Sequence, residues 1–175
     1  MVLAGSFRVD FIDVAGGRLG LCRLPGWQPA ELGRDIAHLQ RLGTRLLVTL
    51  NRADELYSFS GLMGGDEGFL PAMARASFQH RHHEIANGGV PASLAEFSRL
   101  VDEACAALQD GQTIVIHCLA GLGRTGLMAA CCLVRLGLTA ERAIEAVRGC
   151  RPGAIETPSQ ARYVQYFAAQ VRGLR

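Results

Sequence analysis

The stretch that most constrains this chain is His117-Cys118-Leu119-Ala120-Gly121-Leu122-Gly123-Arg124-Thr125-Gly126. An apolar run, Thr113 to Ile116, leads into it, and a helix-forming stretch leads out of it, so the pattern predicts strand, tight loop, helix. Between strand and helix a cysteine and an arginine stand six positions apart, and a hydroxyl follows the arginine. A loop from Leu119 through Ala120, Gly121, Leu122 and Gly123 to Arg124 can turn successive backbone N–H groups inward and form an anion-binding nest. The helix N-terminus aims its positive dipole end at the same point. A thiol is nucleophilic only as thiolate, and such surroundings favour the thiolate of Cys118. Arg124 offers a planar fork for two phosphate oxygens. Thr125 can donate a hydrogen bond to the sulfur, and His117 orients the loop through backbone hydrogen bonds. The local chemistry is therefore capture of a phosphate-like anion and attack on it by sulfur.

The rest of the chain supplies a frame for that loop. Phe7–Val14 and Arg18–Arg23 read as a hairpin joined by Gly16-Gly17. Pro29 opens a helix running to about Leu42, with Gly43 as its stop, and Arg45–Leu50 is a short buried strand. A short helix begins at Asp54, Ser58–Gly68 is glycine-rich and polar with no assigned element, and a helical turn spans Leu70–Ala76. Phe78–Ile85 reads as a strand and Asn87-Gly88-Gly89 as a turn. Pro91–Leu108 is an amphipathic helix, followed by the strand Thr113–His117 and helices at Thr125–Leu136, Thr139–Gly149 and Thr157–Val171. Thr139 is a helix cap, and Pro158 suits a first helical position. Alternating strands and helices predict an α/β fold with a mostly parallel sheet covered on both faces. Open sheets of that kind place ligands at the carboxyl ends of their strands, where the 117–126 loop would lie.

Composition narrows the alternatives. A length of 175 residues gives the expectation of one domain over 1–175, and 49% hydrophobic with 19% charged residues is the balance of a water-facing globular chain. A net charge of +2 is too small to imply nucleic-acid binding by itself, so no nucleic acid is expected as partner, and every basic side chain other than histidine is arginine. The first residues, Met1-Val2-Leu3-Ala4, lack the basic-then-apolar pattern of a signal peptide. The longest apolar run, Leu127–Val134, is too short to cross a membrane. Six cysteines, two of them adjacent at 131 and 132, fit buried thiols in a reducing, cytoplasmic setting. His80, His82 and His83 are read as solvated strand-edge histidines, not metal ligands, since no second ligand pair has suitable spacing.

The 117–126 stretch resembles the signature of the cysteine-dependent protein phosphatases, HCxxGxxR followed by Ser or Thr, extended here to HCxxGxGRTG. His82-His83-Glu84-Ile85-Ala86-Asn87-Gly88-Gly89-Val90-Pro91 resembles the general-acid loop of the cyclin-dependent-kinase-associated group of dual-specificity phosphatases. Cys150-Arg151-Pro152-Gly153-Ala154-Ile155-Glu156-Thr157-Pro158-Ser159-Gln160 is similar to the last active-site segment of that group and of the phosphatase-and-tensin homologues. The resemblance spans about residues 18–168. It implies a single-domain protein-tyrosine-phosphatase-like fold, a phosphocysteine intermediate, no metal or other cofactor, and phosphorylated protein as substrate. It also implies that Gln160 sits near the water that hydrolyses the phosphocysteine.

One position departs from the family pattern. The general acid, an Asp there, is Asn87 here, and an amide cannot protonate a leaving oxygen. Glu84, with Asp66 and Glu67 behind it, is the candidate substitute; deamidation of Asn87-Gly88 is another route to an acid. A phosphoprotein-binding module with negligible turnover is the competing reading. Leu119 and Leu122 occupy loop places where inositol-lipid phosphatases tend to carry lysines, which argues for a protein phosphomonoester over a polyphosphorylated lipid.

Overall fold

The computed structural model describes residues 7–60 and 68–173. Among these residues five strands form one sheet: β1 (Val9–Val14), β2 (Gly17–Cys22), β3 (Thr44–Thr49), β4 (Gln79–His82) and β5 (Thr113–His117), in the order β1-β2-β5-β3-β4. Only β1 and β2 run antiparallel; β2, β3 and β4 are parallel to their inner neighbours, which makes β5 the central strand. Its residues alternate in destination. Ile114 and Ile116 join one apolar cluster, and Val115 joins the cluster on the opposite face with Leu47 and Leu24. A central strand must satisfy both faces, so its sequence is apolar throughout.

One face carries α4 (Leu94–Gln109), α5 (Gly123–Arg135), α6 (Ala140–Cys150) and α7 (Pro158–Gly173). The other carries α1 (Leu32–Arg41), α2 (Ala53–Ser60) and α3 (Phe69–Arg75). Helix α5 is buried from Gly123 to Val134, because β2, β5, α4, α6 and α7 pack around it. A helix apolar on every side has no solvent face to offer, and burial is the consistent outcome. Among the described residues no helix is long and apolar enough to cross a membrane.

Several boundaries differ from the sequence reading, each for a local reason. The hairpin turns on Ala15-Gly16 (φ +54° and +88°), with Gly17 already paired to Val14. Gly17 is required by close approach instead: a Cβ there would lie 2.5 Å from the Gln112 carbonyl and 2.6 Å from that of Leu108. Helix α4 starts at Leu94, not Pro91, because the Ser93 hydroxyl accepts the Glu96 N–H and caps it. Pro29–Glu31 forms a 3₁₀ turn before α1 begins at Leu32. Strand β4 keeps only four residues; beyond it the chain stays tied to the end of β3, the His83 and Ile85 N–H groups donating to the Thr49 and Leu50 carbonyls, and then turns at Asn87-Gly88. Much of the polar segment 58–68, including Asp66 and Glu67, lies outside the described residues.

Candidate active site

The loop between β5 and α5 lies at the carboxyl end of the central strand, and the backbone around it is held from outside. The carbonyl of Cys118 accepts from His117 Nδ1 (3.3 Å), and that of Leu119 from the Leu24 N–H (3.0 Å). Arg151 donates Nη2–H to the Ala120 carbonyl (3.0 Å) and Nε–H to that of Gly121 (2.6 Å). Leu122 O accepts from Gly126 N–H (2.8 Å) and Ile155 N–H (3.3 Å). In a trans peptide the C=O and the next N–H point in opposite directions. Five consecutive carbonyls bound on the outside therefore turn the amides of residues 119–123 toward the inside, which is the geometry of an anion nest. Gly121 bends the loop at φ +73°, where a Cβ would collide with the Cys22 carbonyl.

Arg151 is itself anchored by Asp10 of β1, Nη1 to Oδ2 at 2.6 Å. Its role as a clamp on the loop was not readable from the motif, because its three partners come from β1 and from the loop itself.

Arg124 is 1% exposed and is the largest fully buried side chain among the described residues. Glu55 of α2 grips it bidentately, Nη1–Oε2 at 2.6 Å and Nη2–Oε1 at 2.8 Å. Nη1–H also donates to the Ile85 carbonyl (2.9 Å) and Nη2–H to Asn87 Oδ1 (3.4 Å). Burial alone would lower the arginine pKa, but the Glu55 hydrogen bonds and the charge of Cys118 outweigh it and raise the value. For Glu55, burial pushes the carboxyl up, and the hydrogen bonds from Arg124 and from the Arg52 N–H hold it below the usual glutamate value. Glu55 stands near the start of α2, where it receives the Arg52 N–H at 2.8 Å, and the same carboxylate also aims the site arginine. Two buried donors at the loop have no partner among the described residues: Arg124 Nε and the Thr125 hydroxyl. A buried unpaired donor is costly, and a bound anion is the kind of group that satisfies it.

His117 is fully buried, and burial pushes its pKa down to about 3. The Cys118 carbonyl can only accept, so in the neutral ring Nδ1 carries the proton and Nε2 accepts from the Thr49 hydroxyl (2.7 Å). That hydroxyl in turn accepts from His80 Nε2–H at 2.8 Å, and burial likewise pushes His80 down to about 4. His80 and His82 are thus not solvated edge residues: His80 packs edge-on against Phe69, and His82 Nε2–H donates to the Asn51 carbonyl (2.7 Å). Among the described residues no group of three His, Cys, Asp or Glu side chains is arranged to hold a metal ion.

The remaining predicted residues converge unequally. Asn87 lies in the turn after Ile85, and Thr157 and Gln160 tie that turn to α7 through the Gly88 and Gly89 carbonyls (3.2 Å each). Gln160 is fully buried, its Oε1 accepting the Thr157 N–H at 3.2 Å. Glu84 points elsewhere: its Oε1 accepts the Ala53 N–H at 2.9 Å and caps the start of α2. All six cysteines are unpaired, and burial pushes the thiols of Cys22 and Cys131 up, out of the reactive range. Cys118 opens the loop, and Cys22 packs behind it, its carbonyl against Gly121.

Comparison with known proteins agrees with this geometry. The family model described as "Polymorphic toxin system, DSP-PTPase phosphatase" matches residues 27–138. Human cyclin-dependent kinase inhibitor 3 is 31% identical over 156 residues, covering 85% of this chain and 71% of that protein. Mouse protein tyrosine phosphatase domain-containing protein 1 is 34% identical over 155 residues, covering 86% of this chain and 20% of that protein. A crystal structure of kinase associated phosphatase, with its catalytic-site cysteine replaced by serine, superposes with a TM-score of 0.83 at 26% identity, covering 96% of this chain and 97% of that one. Sequence and fold give one answer: the chain belongs to the dual-specificity and protein-tyrosine phosphatases, hydrolases of phosphate esters.

Proposed function

We propose that this chain is a cysteine-dependent phosphomonoesterase acting on phosphotyrosine, and on phosphoserine and phosphothreonine more slowly, in proteins. The observation that carries the reading is the aimed guanidinium: Arg124 is buried and gripped by Glu55, with its Nε unpaired above the cysteine loop. Cys118 attacks phosphorus in line, while Arg124 and the amides of residues 119–124 hold the equatorial oxygens as charge spreads over them. A phosphocysteine forms, and the Thr125 hydroxyl, buried and unpartnered, stabilises the sulfur when it leaves again. Gln160 has one amide N–H committed to Gly89 O and a second with which to hold the attacking water. The nest and the arginine neutralise the phosphate, so the scheme uses no metal. A reducing, cytoplasmic setting goes with it, because the nucleophile is a thiol.

Protein phosphomonoesters suit a loop lined by Leu119 and Leu122 better than polyphosphorylated lipids, which call for more cations. The relative named for a cyclin-dependent kinase fits a phosphoprotein substrate. Asn87 favours a second reading, a phosphoprotein-binding module with little turnover, because its amide cannot supply the leaving-group proton.

Hydrolysis of an aryl phosphate and of a phosphothreonine peptide, by the natural chain, Cys118→Ser and Asn87→Asp, separates the two. Aryl phosphate turnover is expected to vanish in Cys118→Ser, and phosphothreonine turnover to rise roughly 10²-fold in Asn87→Asp, the lower end of what general acid catalysis contributes. The phenolate of an aryl ester (pKa about 10 for tyrosine) leaves more easily unaided, so the aryl rate should rise less. Phosphopeptide binding without any phosphocysteine would establish the binding module.

A further inference from the structure

The carboxylates around the loop are almost all committed. Glu55 is bound to Arg124 and the Arg52 N–H, Glu84 to the Ala53 N–H, and Asp10 to Arg151. Glu156 is different. It is exposed and makes no hydrogen bond or ion pair with any described residue. Yet it stands at the loop, where its Oε2 would collide with any Cβ built on Gly123. The Gln160 amide flanks the same point, Nε2 and Oε1 at 2.9 and 3.0 Å from that Cβ position. Gly123 immediately precedes Arg124 and opens α5, so this free carboxylate borders the anion nest on the side where Gln160 lies. Its approach is permitted only because residue 123 has no side chain.

The geometry points to Glu156 as the general base that activates the water cleaving the phosphocysteine. This rests on the phosphatase reading above. In the step, a water O–H bond breaks and its proton passes to a Glu156 carboxylate oxygen as the P–O bond forms. The P–S bond breaks, Cys118 departs as thiolate, and inorganic phosphate leaves; the proton on Glu156 then returns to solvent. Gln160 holds the water and Glu156 takes its proton. Glu84 and Asn87 are not needed for this half of the reaction, and an aryl substrate can complete the first half without an acid.

Quench-flow with an aryl phosphate reads the two halves separately. The natural chain, Glu156→Gln and Glu156→Asp are compared for the burst of phenolate, the phosphoryl mass on Cys118 and its rate of decay. In Glu156→Gln the burst is expected to persist while phosphocysteine accumulates and decays about 10²-fold more slowly, and Glu156→Asp should recover part of that loss. Because the side chain is exposed, neither change should disturb folding, and unchanged thermal unfolding checks this. Decay in Glu156→Gln at the natural rate overturns the inference while leaving the phosphatase intact, as does a loss confined to the burst. A natural chain that never forms phosphocysteine overturns the enzyme reading and this inference with it.

Discussion

At the scale of single residues, the site is decided by what holds Arg124. A buried guanidinium needs a partner, since an uncompensated charge in the interior is far more costly than a broken surface pair. Glu55→Gln keeps the shape and removes the charge. It should lower stability by roughly 1–3 kcal/mol, the scale for leaving a buried polar group poorly satisfied. It should also lower kcat/KM roughly 10–100-fold, because the fork is no longer aimed. Urea unfolding and aryl phosphate kinetics test both; unchanged kinetics would mean the loop alone positions the arginine. Cys118, Arg124 and Thr125 could be named from sequence because ten consecutive residues carry the whole local pattern. Glu55 could not, since it lies 69 positions from Arg124, and its place near a helix start suggests only a cap.

At the scale of elements, three parallel strands are stitched below the loop by a chain of neutral side chains, His117 on β5, Thr49 on β3 and His80 on β4. Protonating either ring inserts a charge into a buried site and breaks the donor–acceptor order. The folded His117 pKa, about 3, lies below its ordinary 6.5, so on acidification the unfolded chain takes up this proton first. Stability is therefore full above about pH 6.5 and falls as pH drops toward the folded value, by up to about 1.4 kcal/mol per pH unit for His117. Urea midpoints at pH 7 and pH 5 should show the fall, and His117→Asn should make it shallower, leaving the share that comes from His80; a midpoint independent of pH would mean the rings are not held neutral. Below the ordinary glutamate range the lowered Glu55 adds its own loss, in the same direction. The elements themselves were largely legible. Strand β5 has the limits the sequence predicts, and Thr139 caps α6 through the Arg142 N–H as expected. The start of α4 was not, because Pro91 imitates a helix start while Ser93 supplies the real cap.

For the whole molecule, the loop proposed to hold phosphate is assembled from distant parts, so a bound anion should stabilise the fold as a unit. Inorganic phosphate at 100 times its Kd adds about 2.7 kcal/mol, a rise in Tm of roughly 5–11 °C for a chain of this size. The rise should disappear in Arg124→Ala; a thermal shift that persists there would place the anion elsewhere. What the sequence determined by itself was the local pattern and the frame: a cysteine, an arginine and a tight glycine-bearing loop at the end of an apolar strand, in alternating strands and helices. Those depend on neighbours in the chain and on periodicity, which a single sequence displays. The tertiary structure alone decided what surrounds them. Asp10 and Arg151 are 141 residues apart, yet together they clamp the loop from outside. Glu156, one carboxylate among many in the sequence, is singled out only because the fold engages the others around the loop and leaves it free at Gly123. Long-range proximity follows from packing two helical layers onto a twisted sheet, and no local spacing encodes it.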